Sequence, residues 1–178
     1  MTTDYRPPTT NHRTIFLLGF MGSGKSTVGH ALAEQLNYRF IDLDHELEKI
    51  VGCSIGELVK TNGEPFFRAL ETECLKKAAA HSSTVIALGG GAFIKLENRE
   101  LIAATGTTVW LDVPFALCWQ RIQTDAAVRP LAPNQEVAQA LYLERNSIYK
   151  LAKIHLAITN EIPPEEIAAR LTALLNDR

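Results

Sequence analysis

Gly19-Phe20-Met21-Gly22-Ser23-Gly24-Lys25-Ser26 is the stretch that decides the fold. It matches G-x-x-x-x-G-K-[ST] in full, and each fixed position has a physical reason. Glycines let the backbone turn its N–H groups inward around phosphate oxygens. The helix that follows aims the positive end of its dipole at the same anion. Lys25 is long enough to reach the β- and γ-phosphates, and the Ser26 hydroxyl is a ligand suited to Mg2+. The flanks agree: Thr14–Leu18 reads as the strand before the loop and Lys25–Leu36 as the helix after it. Gly22, Ser23, Gly24, Lys25 and Ser26 are therefore expected to hold a nucleoside triphosphate.

Outward from this loop, short β-rich runs alternate with longer helical patterns. Strands are expected at Thr14–Leu18, Arg39–Asp42, 84–88, 107–112 and 154–159. Most are nearly continuous apolar runs, the pattern of strands covered on both faces. Helices are expected at Lys25–Leu36, 45–51, 55–61, 66–80 and 164–175. Ser54 and Glu57 form a possible capping box for the third of these, and Pro164 with two glutamates suits the first turn of the last. This alternation predicts an α/β fold, a parallel sheet wrapped by helices on both faces. Residues 1–13 read as a loose leader and 14–178 as one domain. Residues 125–135, with Pro130 and Pro133 and no clear period, read as a movable flap around Arg129.

Composition narrows the function. The 178 residues are 46% apolar and 21% charged, an ordinary globular balance for one domain. Lys plus Arg is 18 against 20 Asp plus Glu, so the net charge is −2. There is no bulk positive field for nucleic acid or an anionic membrane, and an anionic ligand must meet local positive charge. Three cysteines without CxxC or Cys/His spacing suggest neither a disulfide framework nor a zinc site, and point to a reducing compartment. No apolar run approaches the ~20 residues that span a bilayer, and the first residues lack a signal-peptide core. The expected setting is the cytoplasm.

Two places offer a carboxylate for the metal. Asp112 ends the run Val109-Trp110-Leu111-Asp112, and Asp42 and Asp44 end Arg39-Phe40-Ile41-Asp42-Leu43-Asp44. Strand-end alternation would aim Asp42 and Asp44 to a common side, at the end of the sheet where α/β ligands bind. Either place could instead be structural, Asp112 bonding a loop and the Asp42/Asp44 pair capping a helix. Gly89-Gly90-Gly91 follows a strand and lets a ligand come close to the backbone. Arg68 and Glu71, three apart, share a helix face; alone, such a pair is usually a surface ion pair of little worth.

Taken together, these motifs resemble the shikimate kinase family from about residue 14 to 175. The resemblance rests on residues 19–27, Ile41-Asp42-Leu43-Asp44, Phe67-Arg68 with Glu71, Gly89-Gly90-Gly91 and Arg129-Pro130-Leu131, in the family's order. It implies a three-layer αβα P-loop kinase fold like that of nucleoside-monophosphate kinases, with a five-stranded parallel sheet and a lid near 123–136. The acceptor-binding region would lie near 43–80. It also implies Mg2+-dependent transfer of the ATP γ-phosphate to the 3-hydroxyl of shikimate by a monomer. Lys25, Asp44 and Arg129 would be catalytic. Thr27, Arg121 and Arg129 would join the loop in binding ATP, with Arg121 near the adenine. Ser26 and Asp42 would serve the metal. Asp44, Arg68, Glu71, Gly89, Gly90, Gly91 and Arg145 would hold shikimate. Arg145 lacks the proline that usually follows it, with Ser147 in its place, but Tyr149 keeps the register. Glu161 replaces basic residues of some relatives. A kinase for gluconate and a non-catalytic nucleotide-binding module are the other readings. The Gly triplet with Phe-Arg-x-x-Glu disfavours the first, and the full set of site charges disfavours the second.

Overall fold

The computed structural model describes residues 14–124 and 132–176. Arg129, residues 1–13 and most of the flap lie outside the described residues. The chain runs β1 (Thr14–Leu18), α1 (Lys25–Leu36), β2 (Arg39–Asp42), α2 (Leu43–Val51), α3 (Ile55–Asn62), α4 (Glu64–Ala79) and β3 (Thr84–Ala87). A single 3-10 turn, Ala92–Ile94, then leads to α5 (Leu96–Thr105), β4 (Gly106–Asp112), α6 (Phe115–Thr124), α7 (Gln135–Tyr149), β5 (Ile154–Ala157) and α8 (Pro164–Asn176).

All five strands are parallel, in the order β2-β3-β1-β4-β5. Side chains on β1 alternate between the two faces of the sheet. Ile15 and Leu17 join Val28, Leu32, Leu111, Ile167 and Leu171 on one face. Phe16 and Leu18 join Leu47, Leu75, Ile86, Ile102 and Trp110 on the other. Two apolar cores thus flank one sheet, giving the expected three layers. Leu17 has no exposed surface, so truncation to Ala should cost roughly 2–5 kcal/mol. The carboxyl ends of β1, β2 and β3 point to one edge, where their loops converge on a cleft.

The local signals in the sequence are present in the structure. Ser54 and Glu57 form a complete capping box on α3. The expected strands and helices appear with ends moved by one or two residues. One geometric expectation is corrected. β2 stops at Asp42 and α2 starts at Leu43, so Asp44 reaches the cleft from a helix's first turn, not by strand alternation. Asp42 is also the cap of α2, accepting from the His45 N–H at 3.3 Å.

Three helices were not legible. In α5 only Asn98 and Ile102 are buried, and α7 turns Ala138, Arg145 and Tyr149 inward. An inward face that carries an arginine and a phenol gives no apolar stripe to read. α6 is short and buries only Cys118 and Ile122.

Candidate functional site

The phosphate loop lies between β1 and α1. Gly22 and Gly24 take φ of +77° and +87°, which side chains with a Cβ adopt only under strain. A Cβ on Gly22 would also lie 2.6 Å from the Cys118 carbonyl, so the loop sits tight against α6. Lys25 donates from Nζ to the carbonyls of Gly19 (2.9 Å) and Phe20 (3.1 Å). Desolvation of this ammonium lowers its pKa to about 8, and nearby Asp44 and Asp42 limit the fall. Ser26 Oγ donates to Asp42 Oδ2 at 2.5 Å.

Of the two candidate carboxylates, Asp42 is therefore the one beside the loop. Asp112 bonds His155 Nε2 at 2.8 Å, and its carbonyl accepts from Ile158. The structural alternative holds for Asp112, while Asp42 both caps a helix and bonds Ser26.

The loop opens into a cleft of about 560 Å³ lined by Lys25, Ser26, Asp42, Asp44, Arg68, Glu71, Gly90, Gly91 and Arg145. Asp44 is raised to about 6, first by burial and then by Glu71 and Asp42; Lys25 and Arg68 oppose the rise. Gly89 brings the strand end against two of these groups. Its added Cβ would collide with Asp44 Oδ1 and lie 2.7 Å from Glu71 Oε1. On Gly91 a Cβ would lie 2.5 Å from both Arg68 Nη1 and Nη2. These glycines are required for space; neither has a positive φ. The backbone approach is therefore used first by the protein's own site residues.

Arg68 donates to Glu71 Oε2 at 2.9 Å and to Glu64 Oε1 at 3.0 Å. Glu71 is only 1% exposed, so this is no surface pair, contrary to the general expectation for that spacing. Burial works against the guanidinium, but its two carboxylate partners outweigh it and hold Arg68 above the usual arginine range. For Glu71 burial prevails over the Arg68 pairing and raises the carboxyl. Glu71 Oε1 has no hydrogen-bond partner and faces the Asp44 side of the cleft. Arg145, from α7, is 5% exposed. Burial and then Arg68 depress it, partly offset by Tyr149 and Glu71.

Arg121 reaches the loop from α6. It donates to the Gly22 carbonyl at 3.0 Å and pairs with Glu161 at 2.8 Å. Thr27 Oγ1 donates to the Gly24 carbonyl at 3.0 Å. Every described residue expected at the site thus lies on or beside one cleft. Glu64 was missed, although its place four residues before Arg68 on one helix is a readable signal. Asn98 and Arg99 were also missed. They donate to the carbonyls of Ala92 (2.8 Å) and Ile94 (2.5 Å), and so hold the turn after the glycines.

Fold and site together define a P-loop kinase for a small acceptor. A profile of the shikimate kinase family matches residues 21–176. The shikimate kinase of Parasynechococcus marenigrum (strain WH8102) is 39% identical over 171 residues, covering 93% of this chain and 89% of that protein. Among solved structures, shikimate kinase from Acinetobacter baumannii in complex with shikimate is 33% identical, with a TM-score of 0.88 and 94% of each chain covered. The Aquifex aeolicus enzyme is 39% identical, with a TM-score of 0.79, covering 92% of this chain and 96% of that one. The chain belongs to the shikimate kinase family. It is an enzyme, and the reaction is that of the family: ATP and shikimate give ADP and shikimate 3-phosphate. No described helix is long and apolar enough to cross a membrane.

Proposed function

We propose the following division of labour for that reaction. Asp44 accepts hydrogen bonds from the acceptor's hydroxyls and takes the proton of the attacking 3-hydroxyl. Its pKa near 6 suits a base that is mostly ionised at neutral pH but not far from it. Arg68 and Arg145 take the shikimate carboxylate, since a planar guanidinium offers two parallel donors. Glu71 and Glu64 hold Arg68 in place. Residues 89–91 shape the floor beside the ring hydroxyls. Lys25, still largely charged at neutral pH, stabilises charge on the transferring phosphoryl group. Arg121 borders the adenine, and Arg129 of the lid near 123–136 supplies a further cation. The observation that carries this reading is the convergence of Asp44, Arg68 and Arg145 on one cleft with the phosphate loop.

The metal assignment follows from chemistry of the donors. Ser26 Oγ and Asp42 Oδ2 are adjacent hard oxygens at the loop's end, the kind Mg2+ takes alongside phosphate oxygens and water. Ser26 and Asp42 would hold the ion together with oxygens of the triphosphate. Once bound, Mg2+ neutralises charge on the β- and γ-phosphates. This reading takes the enzyme to work as a monomer whose single domain spans 14–178, with the acceptor region near 43–80.

The test is ATP turnover with shikimate and with gluconate, each with and without Mg2+. Turnover with shikimate and Mg2+ alone is expected. Turnover with gluconate only, or undiminished turnover by Lys25→Met, would overturn the assignment. Arg129→Ala should slow transfer while sparing shikimate affinity.

A further inference from the structure

Tyr149 ends α7 one helical turn after Arg145 and is 1% exposed. Its hydroxyl donates to the Gly90 carbonyl. The Arg145 guanidinium lies beside the same hydroxyl. The polarity of this chain is fixed by chemistry. A guanidinium only donates and a carbonyl only accepts, so a phenol that spends its proton on Gly90 has only lone pairs to offer Arg145. The glycine is part of the same arrangement. A Cβ on Gly90 would lie 2.7 Å from Arg145 Nη1 and 3.7 Å from the Tyr149 hydroxyl. The phenol ring is itself packed against Trp110, with centroids 6.2 Å apart. Trp110 is 2% exposed and belongs to the core of the α4 face.

We propose that Tyr149 is a positioning residue for the acceptor, fixing Arg145 and the Gly90 carbonyl in register with each other so that the arginine meets the acceptor's carboxylate pre-aimed. The inference rests on the assignment of Arg145 to that carboxylate. Arg145 has a long side chain, and aiming it before binding removes an entropy cost that the ligand would otherwise bear. One hydroxyl does this for both groups, because it is the donor to one and the acceptor from the other. Burial pushes the phenol to about 12, so it keeps its proton over the enzyme's working range.

The test is a kinetic cycle on Tyr149→Phe, Arg145→Ala and the double variant, measured well below each melting temperature. Tyr149→Phe should raise KM for shikimate about ten-fold, the worth of one charge-assisted hydrogen bond, with kcat and KM for ATP within about two-fold. In the Arg145→Ala background the same change should have almost no further effect. Tyr149→p-aminophenylalanine keeps a donor to Gly90 and removes the acceptor for Arg145; it serves where the Phe variant does not fold, and should raise KM alike. A normal KM in both Tyr149 variants, additive effects in the cycle, or an equal rise in KM for ATP would overturn the inference. A normal KM for shikimate in Arg145→Ala would instead overturn the assignment of Arg145.

Discussion

Ser26 and Asp42 are joined by a 2.5 Å hydrogen bond that ties the first turn of α1 to the carboxyl end of β2. The same carboxylate caps α2 through its other oxygen, so the element carrying Asp44 is anchored to the phosphate loop. Donor and acceptor sides of the cleft therefore share one side chain.

Asp42→Asn keeps the cap's acceptor oxygen but weakens the metal position. Turnover should fall about 10–100-fold, with part recovered at higher Mg2+. A titration of rate against Mg2+ at saturating ATP and shikimate checks this. An unchanged Mg2+ dependence would remove Asp42 from the metal's surroundings.

Asp44 bears opposite demands from stability and chemistry. Asp44→Asn should cut kcat by at least ~10²-fold, since the proton acceptor is lost. It should also stabilise the ligand-free fold at neutral pH. The folded carboxyl titrates near 6 against 3.8 for the ordinary group, so ionisation costs stability as pH rises through this window. Below pH 4 both states hold the proton and the penalty is absent. The variant should thus gain roughly 1–3 kcal/mol at pH 8, or several degrees in Tm, and nothing at pH 3.5. Paired melting curves at the two pH values decide the sign.

Arg68→Ala should raise KM for shikimate ~10²-fold or more and change KM for ATP little, because a bidentate carboxylate contact is lost. Arg68→Lys should recover little, as an ammonium cannot reproduce the planar pair of donors. Steady-state kinetics with each substrate varied in turn separates the two constants.

Gly91→Ala probes space in place of backbone freedom. Its φ of −104° is open to any residue, yet the new methyl would meet both terminal nitrogens of Arg68. KM for shikimate should rise at least ~10-fold by displacement of that guanidinium, with Tm nearly unchanged, within about 3 °C. A large loss of Tm with normal KM would contradict this account.

The phosphate loop was readable because its spacing encodes a backbone shape, and β1 because its five residues are all buried. Asp44 and Arg68 were legible as candidates and both line the cleft, but the route by which Asp44 enters it was not legible. That route depends on β2 giving way to a helix after Asp42, and the cap bond that marks this point is a matter of three residues. α7 escaped notice because its buried face is built from Arg145 and Tyr149, residues that count as polar in any hydropathy pattern. Glu64 and the α5 contacts around residues 92–94 act through hydrogen bonds to site residues or backbone carbonyls, and a sequence shows such partners only where helical spacing pairs them.

α8 packs along α1, and Gln35 Nε2 donates to the Glu165 carbonyl at 3.0 Å. The helix whose first turn serves the phosphate is thus covered by one made about 130 residues later. During synthesis on the ribosome, β1 and α1 emerge early with Leu32 and Ala33 uncovered, and must wait for residues 164–176 before that flank is sealed. A chain that stops before α8 should therefore keep an exposed apolar flank on the very helix that serves the phosphate.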